Sequence, residues 1–201
     1  MIDGEKMDLK NSFYSLSELK QLGLKSIGEN VFISRKSSLY SPENIAIGSN
    51  VRVDDFCILS GNITLGNYIH VAAYTALYGG EEGIELADFS TISSHCSIYA
   101  VSDDYTGMGM TNPMIDDRFR KVTKGKVVLR KHSIVGSHSV VLPGCELRTG
   151  VAVGAMSLVN QDLDSWKIYA GVPCRVMKER KTDVLMLEKK MMEKEHKHLY
   201  G

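Results

Sequence analysis

Proton transfer and anion binding are the chemistries that the polar residues of this chain can offer. His70, His95, His132 and His138 lie within its body, and the pair Asp103 and Asp104 follows the run Ile98–Tyr99. An imidazole, with an ordinary pKa of ~6.5, exchanges protons near neutrality and is a common general base. A carboxylate, ordinarily near ~3.9, is a weak base toward a hydroxyl. Arg175, Lys178, Arg180 and Lys181 form a basic cluster suited to phosphates, although a solvated basic helix end accounts for it nearly as well. The four cysteines (Cys57, Cys96, Cys145, Cys174) show no C-x-x-C spacing, so neither a zinc knuckle nor a redox pair is indicated.

What must position these groups is a repeat. Large aliphatics fall at every sixth residue from Ile47 through Val53, Leu59, Leu65 and Val71 to Leu77, and again at Leu86, Ile92 and Ile98. They return at Leu129, Val135, Val141, Leu147, Val153 and Val159, and Ile27, Ile33 and Leu39 keep the same step. Two positions before each comes a small or β-branched residue, such as Val51, Cys57, Thr75, Ser90, Ser133, Ser139 or Ser157. A step of six does not match the ~3.6-residue period of a helix. It suits short strands that each turn one large and one small side chain inward, three to a coil, with the coils stacked through backbone hydrogen bonds. The fold class is therefore an all-β repeat, a parallel β-helix. Counting three residues past the aliphatics puts Phe56, Tyr74 and His95 on one corner, with His138 joining them if the coil resumes in phase. His70 falls on an outward position beside that corner, and His132 and His138 read as surface corners. The repeat is interrupted near residues 40–44, near 79–83 and at length over 99–126. Loops extruded from a repeat gather on one side and often build the site.

Three segments follow: an N-terminal segment with a short helix (1–26), the β-helix (27–172) and a C-terminal basic turn and helix (173–201). Ser15 and Glu18 form a capping box, Leu16, Leu19 and Leu22 share one side, and Gly23 is the stop. An amphipathic helix is expected from near Asp183, its methionines packing on the scaffold or a partner, with His196 and His198 solvated. The 24 basic and 24 acidic side chains cancel, which argues against a nucleic-acid binder. No apolar run approaches the ~18 residues needed to cross a bilayer. The first residues also lack the apolar core of a signal peptide. A soluble, cytoplasmic protein with no membrane partner is expected.

The repeat, together with "VVLPG" and "IYAGVPCRVMKER", resembles the left-handed β-helix (hexapeptide-repeat) acyltransferases, a family that includes galactoside and maltose O-acetyltransferases. "GNYIHVAAYTALYGG" and "IYAVSDDY" look closer to relatives that acetylate sugars or nucleotide-linked aminosugars for surface polysaccharide. The resemblance implies a left-handed coil, a homotrimer with sites in the clefts between prisms, and acetyl-CoA as donor with its pantetheine along the coils. Gly171, Val172, Pro173, Cys174 and Arg175 match the family's G-x-P-A-base tail, with cysteine in place of alanine. Gly171, Pro173, Arg175, Lys178 and Arg180 are thereby candidates for the CoA site. Ala155 would admit the pantetheine and His138 would meet its thiol end.

In the galactoside and maltose relatives the base is a histidine just after a strand like this chain's Ile98–Tyr99, and the matching position here is Asp103. A neutral amine attacks a thioester readily, so Asp103 and Asp104 favour an aminosugar acceptor over a hydroxyl. His95, on the coil before the long loop, is the other candidate base. Tyr74 stands where galactoside acetyltransferase carries a substrate-binding Asn; with His70, Tyr78 and Asp104 it is a candidate for the acceptor. Arg118 and Arg120 in the long loop are placed to meet a diphosphate or a carboxylate. Plain surface roles remain open for each of these residues. So do O-acetylation of a free sugar and a non-catalytic scaffold. The γ-class carbonic anhydrases share the scaffold, but their ligand positions correspond to Ser137 and Leu142, so no metal site is expected.

Overall fold

The computed structural model describes residues 12–200, with side chains through residue 194. Its strands stack in three parallel ladders, which form three faces of a triangular prism. On the first face Ile27, Ile47, Leu65, Leu86, Leu129 and Leu147 lie in register. The second aligns Ile33, Val53, Val71, Ile92, Val135, Val153 and Tyr169. The third aligns Leu39, Leu59, Leu77, Ile98, Val141 and Val159. The fold is the left-handed parallel β-helix expected from the resemblance, of the opposite hand to ordinary β crossovers. The aliphatics of the six-step series are buried, Ile27 and Leu39 partly so.

The small inward positions are equally buried, and their hydroxyls are satisfied locally. Ser90 Oγ donates to Ala87 O at 2.7 Å, Ser133 Oγ to Arg130 O at 2.6 Å and Ser157 Oγ to Gly154 O at 2.7 Å. Each hydroxyl thus closes the turn that brings it inside and leaves no orphaned polar group. The cysteines are core: Cys57, Cys96, Cys145 and Cys174 are all buried. Burial pushes the Cys57 and Cys145 thiols up to about 11, which makes them poor nucleophiles.

Each coil turns three corners, and the three edges differ. Between the second and third faces runs what we call the ring edge: Phe56, Tyr74, His95, His138 and Met156, all at positive φ near 60°. Between the first and second faces runs the helix edge, with Asn30, Asn50, Tyr68, Phe89, His132, Gly150 and Trp166 in the same conformation. A left-handed backbone costs an L-residue about 1–2 kcal/mol. It is held by coil-to-coil hydrogen bonds such as His95 N to Ala73 O (3.1 Å) and His138 N to Ser94 O (3.1 Å). The third corner is the loop edge. All three interruptions leave the prism there: the turn Pro42–Asn44, the strand Ala76–Leu86 bending through Gly80, and the excursion over 99–126. In that excursion Val101–Asp103 pairs antiparallel with Val122–Lys124, and Gly125 N returns to Ala100 O at 2.9 Å. The chain re-enters where it left, so the phase of the coil is preserved.

Helix α1 (Leu16–Gln21) caps the first coil through the expected box: Ser15 N donates to Glu18 Oε2 at 2.8 Å, Glu18 N to Ser15 Oγ at 3.4 Å, and Gly23 turns the chain at φ +72°. Glu18 also accepts both arms of Arg35 at 2.6 and 2.7 Å. Helix α2 (Asp183–Tyr200) lies against the helix edge through Glu188, which binds Lys131 and His132. His196 and His198 lie outside the described side chains. Among the described residues no helix is long and apolar enough to cross a membrane.

Two outcomes follow. Leu77→Ala, which empties the prism centre, should lower unfolding free energy by about 2–5 kcal/mol. Thr64→Ala, outward on the same coil, should change it by under ~0.5 kcal/mol; equal losses in denaturant melts would mean the interior is not packed as described. The Arg35 guanidinium and the Ser15 cap draw the Glu18 carboxyl from 4.5 to about 2. A depressed folded-state pKa stabilises above the unfolded value and is lost as protons bind. Docking of α1 should therefore weaken as pH falls from about 4.5 toward 2; amide exchange in α1 that is equally slow across that window would refute this.

Candidate functional site

The ring edge gathers the imidazoles. Phe56 stacks on Tyr74 (centroids 4.9 Å), Tyr74 on His95 (4.7 Å, 6° between planes) and His95 on His138 (4.6 Å, 5°). Tyr74 thus fixes the plane of His95 and is itself about half exposed. His95 is solvent-exposed, and its ring nitrogens have no partner among the described residues. Below His138 the corner itself is taken by the exposed Met156, and the residues that lead into it are small. A Cβ on Gly136 would meet Ala155 N at 2.5 Å, and one on Gly154 would meet the Ala170 Cβ at 3.2 Å. Gly171 follows at φ 104°, its N–H on Ser157 Oγ at 3.2 Å, and the Val172–Pro173 peptide is cis. His95, His138, Ala155, Gly171 and Pro173 therefore line one edge, which offers a shallow track with backbone close to the surface.

The basic cluster divides. Cys174–Glu179 is an edge strand antiparallel to Lys167–Gly171, not the helix end that composition suggests. This strand crosses the second face, so Arg175 starts beside the track, Lys178 lies midway and Arg180 reaches the helix edge. There the Arg180 guanidinium donates to the carbonyls of His132 (2.7 Å), Gly150 (3.1 Å) and Val151 (3.2 Å). Arg180 clamps coil ends and sits a full face away from the track. Arg175, whose Nη1 meets only the carbonyl of Cys174 at 2.9 Å, and Lys178 are exposed and remain available to an anion.

His132 corrects its surface reading. It is buried beneath α2, with Nε2 2.8 Å from Glu188 Oε2 and its ring between Phe89 and Trp166. His70 pairs with Asp54 at 2.7 Å and lines a groove of about 530 Å³ between the second face and α2, with Tyr68, Phe89 and Met191 among its walls. Its partner and its place on the open face separate it from the ring edge.

The two aspartates differ. Asp104 is spent on its own loop: it accepts from Thr106 N and Oγ1 and from the N–H groups of Met108 and Gly109, contacts that draw its carboxyl down to about 2. It shapes the excursion and has little left to offer a substrate. Asp103 accepts Asn112 N at 3.1 Å and Arg120 Nη2 at 3.4 Å. Tyr78 stacks on Tyr99 at 5.0 Å at the root of the same excursion. Asp103 and Tyr78 thus mark the loop edge, while His95 marks the ring edge, and the third face lies between. From 95 to 99 that face spans roughly 13 Å at strand rise. The Arg120 contact, missed in the sequence, joins residues seventeen apart across an irregular loop, which periodicity cannot reveal.

Comparison with known proteins identifies the scaffold's chemistry. No family model matches the chain. It is 41% identical to a dTDP-4-amino-4,6-dideoxy-D-glucose acyltransferase of Escherichia coli, over 85% of this chain and 90% of the relative. It is 28% identical to a putative lipopolysaccharide biosynthesis O-acetyl transferase, WbbJ, of the same species, over 79% and 80%. Among solved structures, AntD, an N-acyltransferase from Bacillus cereus, superposes with a TM-score of 0.91 at 52% identity, covering 92% of this chain and 98% of AntD; it was solved with dTDP-4-amino-4,6-dideoxyglucose and coenzyme A. With this likeness over nearly its whole length, and with three ladders of six-step coils, the chain belongs to the hexapeptide-repeat acyltransferases.

Proposed function

We propose that the chain transfers a short acyl group, acetyl in the simplest case, from acyl-CoA to the amine of a dTDP-linked 4-amino-4,6-dideoxyhexose. The single observation that carries this reading is the 52% identity and 0.91 TM-score to an N-acyltransferase solved with that aminosugar nucleotide and coenzyme A. An aspartate stands where the O-acetyltransferase pattern has histidine, and this supports nitrogen over oxygen as the nucleophile. AntD structures also include ones with an aspartate or a serine replaced.

In the reaction the neutral amine attacks the thioester carbonyl, the tetrahedral adduct collapses, and the CoA thiolate leaves as the amide forms. The chain must hold the thioester, orient the amine and accept the proton that the nitrogen sheds. The track from His138 through Ala155 to Gly171 and Pro173 takes the pantetheine, its small residues admitting the ligand to the backbone, and Arg175 with Lys178 meets the phosphates. Asp103 orients the amine and accepts its proton. His95, held flat between Tyr74 and His138, faces the thioester end. Tyr78 frames the acceptor.

Because the third face separates His95 from Asp103, one chain does not hold both at one point. A cyclic trimer that sets the ring edge of one chain against the loop edge of the next would unite them. The faces support this. On the first face, outward positions carry ion pairs, Lys126 with Glu85 and Arg130 with Glu146. The second and third faces, which flank the ring edge, turn Ile134, Ala152 and Ile168, and Ile58, Val140 and Leu158, outward. The second face also carries the ion-paired Arg52, Asp54 and His70, so the apolar strip that suits a head-to-tail ring is that of the third face. We place the protein in the cytoplasm, where acyl-CoA and nucleotide sugars meet, with its product an activated sugar for surface polysaccharide.

Purified chain should release CoA from acetyl-CoA or 3-hydroxybutyryl-CoA only when dTDP-4-amino-4,6-dideoxyglucose is present, and dTDP-glucose should not substitute. Turnover with hydroxyl sugars alone would sink the amine reading. Asp103→Asn should lower kcat/KM by roughly 10²–10⁴-fold. Light scattering should report a trimer. Coexpressed His95→Ala and Asp103→Asn chains should regain part of the activity that each homotrimer lacks, whereas a site within one chain predicts no such recovery.

A further inference from the structure

We infer that Arg120, on the returning limb of the excursion, is a positioning residue for the reaction: its guanidinium orients the Asp103 carboxylate. The inference rests on the reading of Asp103 given above. Asp103 lies at the end of the strand Val101–Asp103, and Arg120 directly follows the short 3-10 turn Asp117–Phe119. Arg120 crosses between the two limbs of the loop, with Nη2 3.4 Å from Asp103 Oδ1 and Nη1 2.9 Å from Asp117 Oδ1. Asn112 N holds the second Asp103 oxygen at 3.1 Å. Each Asp103 oxygen thus has one donor, and the carboxylate plane is set by both limbs.

A purely mechanical brace would be built otherwise. The Arg120 side chain is only 19% exposed, yet its Nε is buried without a hydrogen-bond partner. Burying a guanidinium with an unmet donor is costly, and an apolar side chain would hold two loop limbs together at least as well. Arg118, two residues earlier, shows the contrast: it is 80% exposed and pairs with its own neighbour Asp116. What Arg120 adds and an apolar residue cannot is a positive charge beside Asp103. Its fork directs one N–H arm at Asp103 and the other at Asp117, and charge-assisted bonds of this kind fix the direction of a carboxylate. A carboxylate that is to take a proton from nitrogen must be aimed at that nitrogen when the acceptor docks.

The test compares Arg120→Met, Arg120→Lys, Asp117→Asn and Asp103→Asn, each checked for folding and assembly by circular dichroism and light scattering. Initial rates over a range of aminosugar nucleotide concentrations give kcat and KM separately for each. In Arg120→Met kcat should fall about 10–100-fold while KM for the aminosugar nucleotide moves by no more than a few fold, as expected when a reacting group is misaimed and binding is kept. Arg120→Lys, which keeps a charged donor and loses the fork, should recover part of kcat. Asp117→Asn, which frees the other arm of Arg120, should leave kcat within a few fold. An unchanged kcat in folded Arg120→Met, or an equal loss of kcat in Asp117→Asn, overturns the inference and leaves the function intact. Full activity in Asp103→Asn overturns the reading of Asp103 itself.

Discussion

The narrowness of the prism is the constraint on which everything else rests. Three strands of two or three residues enclose a space that takes one aliphatic and one small side chain per face, so the backbone must turn sharply after every strand. That turn requires a left-handed residue at the corner, and the sequence supplies Tyr74, His95, His138 and others instead of glycine. Each spends about 1–2 kcal/mol on its backbone. Ring stacking between successive coils returns ~0.5–1.5 kcal/mol per pair, and the corner N–H bonds the coil below. Corners are where side chains project farthest from the axis, so this geometry sets flat polar rings in a column on the outside of a rigid rod.

Such a rod divides labour among its edges. The ring edge is regular because no insertion enters it, so its groups are placed by the scaffold, with little freedom. The loop edge accepts every interruption, because a chain leaving at Ala100 and returning at Gly125 disturbs neither the coil below nor the one above. The helix edge is closed by α2 and by Arg180, whose guanidinium collects three carbonyls at the end of the prism. Precision therefore resides on one edge and variability on another. A reaction joining an invariant cofactor to a particular sugar needs one of each.

The boundary of what the sequence disclosed follows the same line. The ladders, the corner holding Phe56, Tyr74, His95 and His138, and the capping box of α1 were legible because each depends on spacing along the chain. Arg180, His132 and Asp104 make contacts that the sequence did not disclose, for one shared reason. Their partners come from returns that carry no period: the antiparallel strand Cys174–Glu179 that carries Arg180 across a face, the helix α2 that buries His132, and the 106–109 turn that occupies Asp104. Arg120 belongs with them. Spacing predicts where a residue stands on the rod, and it is silent on what a non-repeating segment folds back to touch.

The nature of the nucleophile ties the carboxylate to the scaffold. A hydroxyl must be deprotonated as it attacks, which calls for a base matched to a weak acid. A neutral amine carries its lone pair already, and its nitrogen becomes strongly acidic only once bonded to the carbonyl carbon. A carboxylate then suffices, provided that it is ionised and aimed. Aiming is the harder demand in an extruded loop, where no coil fixes the side chain. The excursion answers it with contacts that run between its own limbs: Asp104 pinning the 106–109 turn, and Arg120 with Asn112 holding Asp103. The loop thereby acquires locally the rigidity that the ring edge receives from the prism, which the proposed meeting of the two edges in one site would require.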